Sequence, residues 1–438
     1  MEKNNPKVLN AWCMYDWANS VYTLTITTVI FPIYFNAVAK QPDGSDLVPF
    51  LWMMKRSAVV YTYSLSTAFL FISLLSPLLS GIADYGGTKK NFMKFFVFMG
   101  SFSCLGLFFF DANHISLGIL LFIGASIGYA GSLVFYNAFL PEIATPDQYD
   151  KVSAKGFSLG YVGSVLLLLI NLVVIEKPEW FGVSRENFLP VRLSFLMVGV
   201  WWLGFSLYPF AYLPDNKTQN RFERKLLWKG FQEIKKVSIE LKLHPRLTSF
   251  LAAFFFYSMG FQTIMYLAGF FAAQELKLPE ANLITIMLLI QLIAIGGASL
   301  FVFLSKKIGN ILTLALAMVV CIVVCLVAYF ITKPIQFYSI AIVIGIVMGG
   351  IQSMSRSTYT KLLPATTDHA SYFSFYELTE KVGIVIGTAT YAIITDITGN
   401  MRNSIFALIL FFIIGLFFLI RLMQNKQYSV HQAMFSNS

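Results

Sequence analysis

Apolar residues in this chain come in runs of about twenty, broken by short polar connections. Twelve such runs stand near 10–38, 57–82, 92–111, 115–140, 156–175, 191–213, 247–272, 282–304, 311–332, 336–356, 375–397 and 402–423. At ~1.5 Å per residue each is long enough to cross a hydrocarbon core of ~30 Å as a helix, so the pattern predicts twelve membrane-spanning helices. One long polar connection, 214–246, separates the sixth run from the seventh and divides the chain into 1–213 and 247–438. Within it Leu227, Phe231, Ile234 and Leu241 share a helical stripe, with Lys225, Lys229, Lys235 and Lys236 largely elsewhere. That is the pattern of an amphipathic helix lying on a membrane surface; a solvated tether is the alternative.

Composition turns the pattern into a class. Hydrophobic residues make up 57% of the chain and charged ones 12%, against roughly 25% charged in soluble domains, so the expected fold is all-α and integral to the membrane. The polar N-terminus runs straight into a long span without a small-residue cleavage site, and the first span is expected to be retained. Cys13, Cys104, Cys321 and Cys325 fall in or beside apolar runs with no CxxC pair, as packing residues do. If alternate loops face opposite sides, the side bearing both termini collects 23 of the 32 Lys and Arg residues and the other side 9. By the positive-inside rule both termini and the long connection are cytoplasmic, in a plasma membrane of the bacterial inner-membrane type. The net charge of +10 is then a topology signal, and no nucleic-acid partner is implied.

The two halves repeat. The fourth-span exit "FLPEIATPDQYDKVSAKGFSLGYVGS" aligns without gaps with the tenth-span exit "LLPATTDHASYFSFYELTEKVG": Pro141 falls on Pro364 and Gly160 on Gly383, both offset by 223, while Gly87 faces Gly309 at 222. Duplication of a six-span unit explains this, with the longer 39–56 loop absorbing the difference. Two six-helix bundles joined by a basic loop are the plan of the twelve-span major facilitator superfamily, whose halves are parallel repeats around a midplane site.

Polar residues inside the spans are the candidates for function, because each is costly in lipid. In the first span Asp16, Ser20, Thr23 and Thr27 follow i, i+4, i+7, i+11, and Tyr15, Asn19 and Tyr22 form an adjoining stripe. Asp16 has two readings: a cavity or coupling carboxylate, or a residue stabilised near the helix N-terminus by the helix dipole. "SGIADYGGTKK" (80–90) places Asp84 beside a glycine turn and Lys89 and Lys90; Gly86 and Gly87 permit positive φ there. At the start of span eleven Glu377 and Lys381 are i, i+4 and expected to neutralise each other, which leaves Glu380 the less obviously paired charge. Gln262, Tyr266, Gln352 and Arg356, with Gln291, are the deep polar groups of spans seven, eight and ten; such groups glue helices together as often as they meet cargo. The runs "GASIGYAGS" (124–132) and "GFSLGYVGS" (156–164) read as close-packing faces. His114, His244, His369 and His431 are scattered over loops, and HExxH, GxSxG and GxxxxGK[ST] are all missing. No enzyme, ATP-driven pump, metal or cofactor is expected.

The opening "YDWANSVYTLTITTVIFPIYF", then "YNAFLPEIA" with "VSAKGFSLGYVGS", "YSMGFQTIMYLAGF" and "GGIQSMSRS" resemble the Atg22-like, or UMF1, family of major facilitator transporters, in order and along almost the whole chain. "SGIADYGGTKK" also resembles the superfamily's second-to-third-loop motif. That resemblance implies that Asp84 docks at the start of span eleven to latch the halves, with Gly87 as the turn glycine and Lys89 and Lys90 as the basic positions. Ser80 replaces the usual glycine and Tyr85 a usual arginine. In span seven the family's Tyr-Asn-Asp-Gly is here Tyr257, Ser258, Met259, Gly260, so an Asp that couples ions elsewhere in the family has no counterpart at that position.

Together these readings imply a monomeric secondary transporter that moves a small polar or amphiphilic solute. An amino acid is the first candidate, since the family's yeast relatives are associated with amino-acid efflux from the vacuole. Protons are the candidate coupling ion. A drug or lipid-like amphiphile exporter is the alternative, and a non-transporting sensor or scaffold a further one. Tyr15, Asp16, Asn19, Tyr22, Tyr136, Gln262, Tyr266 and Gln352 are the expected cargo-facing residues. Asp84, Gly87, Lys89, Lys90, Glu142, Arg356, Glu377, Glu380 and Lys381 are the expected gating and coupling set.

Overall fold

The structure, a computed structural model, describes residues 2–40, 45, 47–50, 53–215 and 226–435. Twelve of its helices are long and apolar enough to cross a membrane. In chain order they are α1 (Pro6–Ala39), α2 (Ser57–Gly86), α3 (Lys89–Phe109), α4 (Ile115–Ile143), α5 (Tyr149–Glu176), α6 (Leu189–Tyr212), α7 (Pro245–Glu275), α8 (Glu280–Ile308), α9 (Asn310–Phe330), α10 (Pro334–Leu362), α11 (His369–Thr398) and α12 (Met401–Phe435). Most begin or end beyond their apolar run. α5 starts at Tyr149 and α11 at His369 because polar first turns extend the helix out of the hydrocarbon, where hydropathy no longer marks it. A short hairpin, β1 (Leu47–Phe50) with β2 (Met53–Arg56), occupies the 39–56 loop; the apolar pattern gave no sign of it.

Within the N half α1 packs on α5 and α6, and α3 on α4 and α6; within the C half α7 packs on α11 and α12, and α8 on α10. Between halves the main contacts are α2 with α11 and α5 with α8. The sequence repeat superimposes α2 on α8 and α5 on α11, so each of these contacts is the other's mate under a twofold axis. Gly87 and Gly309, the paired glycines, both have positive φ (60° and 84°) at the ends of α2 and α8, a conformation that costs glycine nothing. The small-residue run of α5 lies against α1: a Cβ at Gly156 would collide with the Asp16 carboxylate and one at Gly160 with Ser20. Large apolar side chains such as Leu74, Phe102, Leu120 and Ile397 point outward, where lipid chains would meet them.

The connection between halves contains a helix, Leu226–Leu243. It leans on α2 and on the start of α11, burying Val237 and Leu241 while Phe231 is exposed. Lys236 pairs with Asp368 at 2.6 Å, and Tyr372 Oη donates to Glu240. The expected apolar stripe is thus split: Leu241 turns inward and Phe231 does not. Lys225 and the side chains of Leu227, Lys229 and Ile234 lie outside the described residues.

Candidate functional site

α1 is irregular where it matters. Tyr22–Ile30 forms a π-helical stretch, and Thr28 Oγ1 donates to the Thr23 carbonyl five residues back at 2.8 Å. Such widened turns concentrate at functional sites. Here the wider turn keeps Thr23, Thr27 and Thr28 all on a cavity between the halves, continuing the stripe of Asp16, Asn19 and Ser20. The cavity, about 190 Å³, is completed by α2, α4, α5, α7, α8, α10 and α11. It runs from Asp16 and Arg356 away from the face that bears the termini, toward Leu283 and Phe337 near the starts of α8 and α10.

Beneath it, the face bearing the termini is sealed in layers. Outermost, Asp84 accepts from the backbone N–H groups of Ala370 (3.2 Å) and Ser371 (2.7 Å) at the start of α11. A carboxylate on free N–H groups at a helix N-terminus is favoured by both hydrogen bonding and the dipole. Gly87 turns the chain so that Lys89 follows at 3.9 Å from Asp84 and pairs with Glu142, which also meets His369 Nδ1 at 3.1 Å. Lys90 donates to the Leu213 carbonyl (2.9 Å) and pairs with Asp215 (3.1 Å), which anchors the end of α6. On the twofold-related side Asp150, in the first turn of α5, accepts from Asn310 (2.7 Å), Ser305 (3.2 Å) and Lys361 (2.6 Å) of the C half. The polarity is reversed: the N half supplies the carboxylate in both latches.

The next layer is an ion pair across the halves. Arg356 Nη2 lies 3.0 Å from Asp16 Oδ2, and both side chains are buried. Asp16 also accepts from Tyr136 Oη at 2.8 Å, and Arg356 donates to the hydroxyl and carbonyl of Ser153, each at 3.0 Å. The guanidinium lies over the rings of Trp12 (4.6 Å) and Phe157 (4.1 Å), a cation–π arrangement that suits Arg better than Lys.

The innermost layer forms the cavity floor. Lys381 Nζ is 2.6 Å from Glu380 and 3.3 Å from Glu377. Gln262 donates to Glu380 at 2.7 Å, and Asn137 to Glu377 at 2.8 Å. Lys381 is therefore shared between two carboxylates, and Glu380, expected to be the less paired, holds the shorter contact. Rotation about the side-chain torsions brings adjacent residues together here where i, i+4 spacing alone favoured Glu377.

Of the expected cargo-facing residues Asp16, Asn19, Gln262, Tyr266 and Gln352 line the cavity. Tyr15, Tyr22 and Tyr136 do not: they turn into the core of the N half. Tyr15 packs at a tilt against Tyr136, Tyr136 stacks on Trp12, and Tyr22 bonds Ser126. The adjoining stripe, 100° from the polar one, is divided: Tyr15 and Tyr22 face the neighbouring helix α4 while Asn19 reaches the cavity. The dipole reading of Asp16 also loses its ground, since helix α1 starts at Pro6 and Asp16 lies ~15 Å along it, past the first turn where the dipole acts. Asn137, Asp150 and Ser153 went unnoticed in the sequence, and His369 was read only as one of the scattered histidines. Asp150 and Ser153 sit inside the repeated fourth-span exit, which was the signal available, and Asn137 lies two residues before it.

A sequence profile for the family described as "Vacuole effluxer Atg22 like" matches residues 4–430. The chain belongs to the Atg22-like family. Among curated relatives of this Atg22-like protein, the "Uncharacterized MFS-type transporter YxiO" of Bacillus subtilis is 29% identical, with 95% of each chain covered. Autophagy-related protein 22 of Eremothecium gossypii is 24% identical over 91% of this chain and 87% of its own. Among solved structures the major facilitator transporter FucP in its outward conformation superimposes with a TM-score of 0.69 at 13% identity, covering 96% of this chain and 99% of FucP. The fold is that of the major facilitator superfamily and the chain is a transporter of that type, integral to a membrane.

Proposed function

We propose that this Atg22-like protein moves a small polar solute, an amino acid in the first instance, by rocking its two halves about the cavity between them. One observation carries the reading: five charged side chains from both halves, Asp16, Arg356, Glu377, Glu380 and Lys381, converge where the cavity meets the sealed face. An amino acid offers both an ammonium and a carboxylate to such a floor. With the termini in the cytoplasm, as the Lys and Arg distribution argues, the sealed face is the inner one and the cavity faces outward, ready to load or release on that side. The floor carboxylates are the candidates for proton coupling, and a single chain, with both halves lining one cavity, is the transporting unit.

A second reading, export of amphiphiles, is favoured by the apolar part of the lining, where Phe69, Phe254, Phe261, Met265 and Phe337 face the cavity. Thermal-shift measurements on the purified protein against amino acids, peptides, nucleosides, sugars and amphiphiles separate the two. A ligand at ~100 times its Kd adds about 2.7 kcal/mol to the native state. Stabilisation by amino acids, together with uptake into proteoliposomes that Asp16→Asn abolishes at normal expression, supports the first reading. Stabilisation by amphiphiles alone, or full transport in Asp16→Asn, overturns it.

A further inference from the structure

Asn137, a side chain of the N half, is bonded to both inner layers described above. It lies in the last turn of the main helical segment of α4 (Ile115–Ala138) and is 4% exposed. Its Nδ2 donates to Glu377 Oε1 at 2.8 Å, and its Oδ1 accepts from Arg356 Nη1 at 3.4 Å. One partner is an anion on the cavity floor; the other is the cation that closes the inner gate with Asp16. The amide cannot turn over, because a flip would set its NH₂ against the guanidinium and its carbonyl against the carboxylate. The charge on Glu377 therefore holds the Asn137 carbonyl on Arg356.

We propose that Asn137 is the positioning residue that couples charge on the cavity floor to the Arg356–Asp16 gate. The floor and gate together hold three carboxylates, Asp16, Glu377 and Glu380, against two cations, Arg356 and Lys381, so a positive charge entering from the cavity has an unfilled place there. Once such a charge occupies Glu377, the charge-assisted bond from Asn137 falls to the strength of a neutral one, about half. The amide is then free to rotate, its carbonyl leaves Arg356, and the gate loses one of its acceptors. Opening on the terminal side thus follows occupation of the cavity, as alternating access requires. The inference rests on the two-half rocking motion, and it holds whatever the cargo is.

The test uses no cargo. Lys151 on α5 and Lys306 on α8 are exposed on the sealed face, on opposite halves. Lys151→Cys and Lys306→Cys carry spin labels for a distance measurement; the four native cysteines are buried and stay unlabelled. Glu377→Gln, which mimics a neutralised floor, is expected to raise the long-distance, open population about fivefold. Asn137→Leu raises it alone, and adding Glu377→Gln to Asn137→Leu raises it no further. Asn137→Ala deletes both bonds without adding a charge, so it too is expected to open and to show no further response to Glu377→Gln; it serves where Asn137→Leu does not fold. An equal response to Glu377→Gln with and without Asn137 overturns the proposal, as does a folded Glu377→Gln protein with an unchanged distance distribution. Neither result bears on whether amino acids are the cargo.

Discussion

Asp16→Asn removes the counter-ion of a guanidinium that is 2% exposed. Breaking a buried ion pair by deleting one partner costs about 3–5 kcal/mol, because the remaining charge is left uncompensated. The pair joins the two halves, so the cost falls on the sealed conformation alone; once the halves part, Arg356 reaches water. Two features soften it. The asparagine carbonyl can still accept from Arg356, and the surplus carboxylate on the floor lies one amide away through Asn137. The low end, about 3 kcal/mol, shifts the open-to-closed ratio roughly a hundredfold, since every 1.4 kcal/mol is tenfold. Spin labels at Lys151→Cys and Lys306→Cys read that ratio directly, and Asp16→Asn is expected to convert a single short distance into a predominantly long one. The double variant Asp16→Leu, Arg356→Met provides the control: replacing both charges by apolar groups of similar bulk is often neutral or stabilising, so it should close again. A folded Asp16→Asn protein with the wild-type distance distribution would refute the reasoning and reduce the pair to a packing contact.

Gly156→Ala places a Cβ against the Asp16 carboxylate and Arg356, so it should open the gate with all five charges intact, which the same distance measurement checks. Asp84→Ala leaves two α11 N–H groups without their acceptor, and Asp150→Ala frees Asn310 and Lys361; each loss is worth about 1–3 kcal/mol of closure. Because the two latches are independent and share no partner, the double variant should open by the sum of the single shifts within ~0.5 kcal/mol. Strong non-additivity would show that the halves hinge on one latch only.

What the sequence made legible follows from where physics acts locally. The twelve helices were readable because each span must satisfy its own backbone in lipid, and hydropathy records that constraint. The polar stripe of α1 was readable for the same reason: Asp16, Ser20, Thr23 and Thr27 could share only a protected face, and all four line the cavity. Which polar residue meets which was not legible, because partners such as Asp16 and Arg356 are 340 positions apart and nothing in either segment names the other. Asn137 illustrates the limit further. An asparagine at the end of an apolar span resembles any helix-terminal amide, and only the approach of α10 and α11 from the other half gives its two ends opposite charges to face. Asp150 went unread although it sits within the repeat that revealed the duplication, since the matching position 373 is a phenylalanine. A repeat exposes what the halves have in common. The latches and the gate depend on how they differ, with the carboxylates Asp84, Asp150 and Asp16 all on the N half and their donors on the C half. That asymmetry sets a carboxylate of the N half against donors of the C half at both twofold-related contacts and at the buried ion pair, where identical halves would place one carboxylate on each side.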